Sequence, residues 1–90
     1  MNRIQKLRRE IDLLDQKISK LLLRRAKCVA GIQVSKRRKR MALRDRAREA
    51  EILKSVSKGR SKYERAYLSA TFKAILKIAL KKPDARRKDK

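Results

Sequence analysis

The stretch RIQKLRREIDLLDQKISKLLLRRAKCVAGIQVSKRR, residues 3–38, decides the fold. Ile4, Leu7, Ile11, Leu14, Ile18 and Leu21 recur in alternating steps of three and four, and the rhythm resumes at Cys28 and Ile32. That spacing makes one continuous apolar face on an α-helix. The position skipped between Leu21 and Cys28 is Arg25. A guanidinium keeps its proton at any ordinary pH, so an arginine in a buried seam needs an anion beside it, either a protein carboxylate or a ligand. Lys36 lies eleven residues beyond Arg25, about three turns at 3.6 residues per turn, which puts the two cations on nearly the same face. A helix of roughly 50 Å cannot fold back on itself and must pair lengthwise. Leu13, Leu22 and Val29 widen the seam, which suits a bundle of several helices better than a two-stranded coil. Arg8 sits beside the seam, seventeen residues before Arg25. That is about 25 Å of helix and a quarter turn, so Arg8 cannot reach the same anion within one chain, whereas an antiparallel partner helix could bring its own Arg8 there.

Composition points the same way. Ninety residues with two Gly, one Pro, three aromatics and no Trp argue for an all-helical chain and against a β-rich one, which needs frequent turn residues and more aromatic positions. One chain of this size buries only a modest core, so a second copy is expected. Thirty Lys and Arg against nine Asp and Glu give a net charge of +21. Its partners are therefore expected to be anions: nucleic acid, an acidic surface or a small polyanionic metabolite. A lone Cys28 and no His leave no internal disulfide and no zinc site, and Cys28 at a seam position reads as a small buried hydrophobe in a reducing compartment. No apolar run reaches the ~20 residues that span a bilayer. The start lacks a secretory apolar core, and Glu10, Asp12 and Asp15 make a poor transit peptide, so a cytoplasmic protein is expected.

Beyond the first helix the run Lys36-Arg37-Arg38-Lys39-Arg40 carries no acid, and the helix is expected to fray there, with its cations favourably placed at the dipole's negative end. The four residues after Lys36 read as a solvated terminus or as a polyanion contact. A second helix is expected from Arg44 or Asp45 to about Lys58, stopped by Gly59. Asp45, Arg48, Glu49 and Ile52 then share one face, either a surface salt-bridge ladder or a recognition face. A third helix is expected over about Lys62–Lys82, with Leu68, Phe72, Ile75 and Ala79 as its stripe and Leu76 and Leu80 alongside. Pro83 ends it, and residues 84–90 read as a charged tail outside a domain of residues 1–83.

The pattern Leu7-Arg8-x-x-Ile11-x-x-Leu14-Asp15-x-Lys17, then Leu21-Leu22-x-x-Arg25, Lys36 and Arg44-Asp45-x-x-Arg48-Glu49, resembles the all-helical class of chorismate mutases. The resemblance covers residues 4–83 and is most specific over the first two-thirds, where charged residues match in one ungapped register. It implies three helices per chain interlocked as an intertwined homodimer, and a cofactor-free, metal-free rearrangement of chorismate, a small dianion, to prephenate. By the same resemblance Arg25 and the partner subunit's Arg8 would clamp the two carboxylates, and Lys36 would reach a carboxylate and the ether oxygen. Asp45, Glu49 and the Arg48 backbone would meet the ring hydroxyl. Ile4, Ile32, Ile52, Leu76 and Leu80 would form the walls.

The third helix departs from the family pattern. Ala79 stands where the family carries a serine, and Pro83 where it carries a Gln or Glu that hydrogen-bonds the ether oxygen. Losing such a donor costs about 3–4 kcal/mol of barrier, two to three decades in rate. Three readings stay open at this point: a mutase of reduced or unusual activity, the sibling elimination of pyruvate from isochorismate on the same scaffold, and a mutase-like dimer that binds nucleic acid or another polyanion, mostly through phosphates and without regard to sequence.

Overall fold

The computed structural model describes residues 2–80. They form three helices, α1 at Arg3–Arg38, α2 at Arg46–Ser57 and α3 at Lys62–Ala79, with no strand among the described residues. The expected tail and Pro83 lie outside those residues. The chain divides into two compact units, Met1–Ser35 and Lys36–Lys90.

The first unit is α1 as far as Ser35. Leu, Arg, Lys and Gln dominate it, all strong helix formers, and no proline interrupts it. Asn2 caps its start, its side-chain oxygen accepting from the Gln5 N–H at 2.9 Å and its carbonyl from the Lys6 N–H at 3.1 Å. The apolar face that the sequence periodicity describes is uncovered in the single chain. Ile4, Leu7, Ile11, Leu14, Ile18 and Leu21 are each 43–60% exposed, so α1 supplies one half of a hydrophobic contact rather than a finished core. Cys28, read from its spacing as buried, is exposed for the same reason. Among the described residues no apolar side chain is buried, and the single buried residue is Gln33, 8% exposed.

The second unit opens on the end of α1, and the helix does not fray there. Arg40 takes a left-handed backbone, φ 56°. Its N–H donates to the Arg37 carbonyl at 3.1 Å, and the Met41 N–H donates to the Lys36 carbonyl at 2.8 Å. This pair of bonds is a Schellman motif, which satisfies carbonyls that a frayed end would leave to water. An arginine occupies the position where glycine is favoured.

Helix α2 is shorter than the sequence suggests, because Asp45 lies outside it as the cap, with extended backbone torsions and Oδ1 accepting from the Arg48 N–H at 3.0 Å. Its end is a type II turn: Lys58 at φ −62°, ψ 131° and Gly59 at φ +72°, closed by the Arg60 N–H on the Ser57 carbonyl at 3.2 Å. That turn needs positive φ at its third position, which glycine adopts without strain. Ser61 then caps α3 in a reciprocal box, its hydroxyl accepting from the Glu64 N–H and the Glu64 carboxylate accepting from the Ser61 N–H, both at 3.1 Å. Helices α2 and α3 pack on each other, and the residues that lose exposure are Ile52, Leu53 and Val56 on one and Leu68, Phe72, Ile75 and Leu76 on the other. Helical geometry ends at Ala79, with the Leu80 N–H bonding back to the Lys77 carbonyl at 3.3 Å. That i to i−3 bond is the tightening that closes many last turns. Lys81 and Lys82, given to this helix by the periodicity, lie outside the described residues. No helix among those described is long and apolar enough to cross a membrane.

Candidate active site

In the second unit the geometry gathers around Lys36. Its backbone carbonyl is held by Met41 and its ammonium donates to the Leu43 carbonyl at 3.2 Å, partly buried. The ammonium carries three donors, so one is spent on folding the connection over the helix end and two remain for a ligand. Lys36, Met41, Ala42, Arg44, Asp45 and Arg46 line one open recess of about 420 Å³. Three of those six side chains are cationic, which makes the recess receptive to an anion, while Asp45 offers it a carboxylate acceptor.

Asp45 reaches the recess because it is a cap. Its extended backbone leaves the helix axis just before α2 begins, and one carboxylate oxygen is anchored on the Arg48 N–H. The Arg48 amide is thus already engaged by Asp45, and the Arg48 guanidinium pairs with Glu51 at 3.2 Å. Glu49 is gripped from the other direction. Arg44 donates through Nε and Nη2 to its two oxygens, both at 3.1 Å, in a fork that fixes the carboxylate plane. The Asp45, Arg48, Glu49 face is therefore no ladder of its own neighbours, since each acidic or basic member looks to a residue off that face or to the backbone.

Arg44 is the partner that sequence spacing misses, whereas Glu51 follows Arg48 by three residues, an ordinary helical pair. Arg44 lies five residues before Glu49, outside the i, i+3 and i, i+4 pairs of a regular helix, and meets it because the chain before Asp45 is not helical. Ile52, Leu76 and Leu80, expected as walls of the site, are half-buried, as is Ala79 at the family's serine position. Pro83, expected beside them, lies outside the described residues.

In the first unit Arg25 is half-buried on the apolar face of α1, as is Val29 one turn on. Arg25 has no ion pair among the described residues, whose ion pairs are Arg44 with Glu49 and Arg48 with Glu51. Arg8 and Ile32 are exposed.

The family model for chorismate mutase type II matches residues 7–82, and the chain belongs to that family. Among curated proteins and among solved structures no match is found.

Proposed function

We propose that this chain is a chorismate mutase that works as an intertwined homodimer, converting chorismate to prephenate without metal or cofactor. The observation that carries the reading is the family match over residues 7–82. It is supported by the unpaired Arg25 and by the recess that Lys36 and Asp45 share. The uncovered apolar face of α1 supports the second copy, since a stripe of that size in water marks an interaction surface.

The reaction is a rearrangement within one molecule, so the protein supplies conformation and charge and no nucleophile. In the proposed assignment Arg25 and Arg8 of the partner subunit bind the substrate's two carboxylates and hold it in its compact conformer. Lys36 places positive charge at the ether oxygen, where negative charge grows as the bond breaks. Asp45 and Glu49 accept from the ring hydroxyl, with Glu49 kept in plane by Arg44, and Ile32, Ile52, Ala79 and Leu80 exclude water. The domain is residues 1–83, with residues 84–90 a basic tail, in a cytoplasmic protein. Ala79 and Pro83 at the family's serine and Gln or Glu positions lower the rate by about two to three decades, because no donor from the third helix strengthens on the ether oxygen in the transition state.

The test is chorismate consumption by the purified chain, with prephenate and pyruvate quantified separately and isochorismate run in parallel. Slow, saturable prephenate formation by a species sedimenting at twice the chain mass is the expected result. Pyruvate release from isochorismate without prephenate would replace the mutase by the lyase, and a well-folded inert monomer would remove both.

A further inference from the structure

The cations of α1 are not spread evenly around it. At 100° per residue, Lys6, Arg9, Lys17, Lys20, Arg24 and Lys27 fall within a sector of roughly 80°, centred about 130° round the helix from the middle of the apolar stripe. All six are exposed and none has an ion pair among the described residues. The acids of α1 lie elsewhere: Glu10 at the sector's edge, Asp12 and Asp15 well outside it. A row of cations and a separate apolar face are independent surfaces, so covering the stripe with a second copy leaves the row in water.

We propose that this row is a docking surface for double-stranded nucleic acid, gripped through its phosphates and without preference for sequence. The row from Lys6 to Lys27 is about 32 Å long at 1.5 Å per residue, close to the ~34 Å pitch of B-form DNA, so a helix lying along the duplex meets phosphates over a full turn. A dicarboxylate spans a small fraction of that length, so the row suits a polymer rather than the substrate. Between its cations the sector carries Leu13, which is 60% exposed and stands apart from the seam it was expected to widen, with Gln16 at its other edge. One leucine is too little apolar surface to seat a helix in a lipid interface, and one glutamine at the edge is too little to read a base sequence. The whole chain's +21 charge raises the encounter rate with any polyanion, and the row gives that attraction a place to land.

Six phosphate contacts set the expected salt dependence. The slope of log K against log salt is about −0.9 per contact, near −5 in all, so affinity falls about a thousandfold between 50 and 200 mM salt. The experiment titrates the full chain into a fluorescent 30-base-pair duplex of arbitrary sequence across that range, beside vesicles of anionic and neutral phospholipid. One variant changes the six row residues to Gln, which keeps helix propensity. A second removes six charges off the row, at Arg37, Lys39, Arg40, Lys58, Arg60 and Arg65. A third changes only Lys20, Arg24 and Lys27.

The row variant is expected to lose at least tenfold in affinity at 50 mM salt with a slope shallower than about −1, the second to keep a steep slope, and the third to lose about half of it. Helicity and mutase turnover are expected to match the unaltered chain throughout, and a row variant that fails to fold leaves the third to decide. Equal loss in the first two variants would assign binding to net charge and overturn the row. So would vesicle binding without duplex binding, or no duplex binding at 50 mM salt.

Discussion

Replacing Arg40 by glycine should stabilise the fold, and the size of the gain follows from one torsion angle. Arg40 sits at φ 56°, a region that costs an ordinary L-residue about 1–2 kcal/mol through its Cβ. Two bonds hold it there, Arg40 N–H to the Arg37 carbonyl and Met41 N–H to the Lys36 carbonyl, and both are main-chain bonds that glycine preserves. Glycine returns about 0.5–1 kcal/mol of that gain through the greater freedom of the unfolded chain. The net stabilisation is about 0.5–1 kcal/mol, and a domain of this size gains about 2–8 °C in Tm. Arg40→Gly also removes one charge from a self-repelling chain, so Arg40→Ala is the control: it removes the same charge and retains the Cβ. The assay is thermal and urea unfolding followed by circular dichroism, all three proteins at one concentration. Arg40→Gly should melt above Arg40→Ala, with mutase turnover within twofold of the unaltered chain because the Lys36 environment is kept. Coincident melting of the two variants would refute the reasoning, since the torsion would then carry no strain.

Arg25→Leu should abolish prephenate formation and leave Tm unchanged or raised, because an unpaired charge is replaced by a side chain that matches the rest of the stripe. A variant that unfolds would show that a partner carboxylate faces Arg25. Arg44→Gln releases both oxygens of Glu49 while removing a pair exposed enough to contribute under about 1 kcal/mol. KM for chorismate should rise several-fold with kcat and Tm little changed, and Arg44→Lys should not rescue it, since an ammonium cannot reproduce the two-pronged grip. Unaltered KM in Arg44→Gln would mean that Glu49 needs no tether.

How legible these features were in the sequence depends on what each one rests on. The extent of α1 was plain from Ile4 onward, because an apolar period over about eight turns has no competing interpretation, and α3 was legible from its stripe of Leu68, Phe72, Ile75 and Ala79. The form of the ending of α1, a closed cap where fraying is expected, was illegible for a definite reason. The usual sign of a left-handed cap is Gly or Asn, and here Arg40 takes that conformation against its own preference. The Arg44 and Glu49 fork was hidden by the cap between them, which breaks helical spacing. The burial of Gln33 had no local signature at all. For the candidate site the residues alone indicated an anion at Arg25 and Lys36, and the identity of that anion came from the family pattern.

The connection between α2 and α3 has a kinetic consequence. A type II turn leads almost directly into the Ser61 cap, so the loop that must close is nearly as short as an αα-hairpin allows, and its closure entropy is small. Contacts this local form early, on the microsecond scale of helices and hairpins. In the proposed dimer the exposed face of α1 gains burial only when the second copy arrives, and the rate of that step scales with protein concentration. Refolding should therefore show a fast phase indifferent to dilution, from the α2–α3 hairpin, followed by a slower phase that lengthens as the protein is diluted.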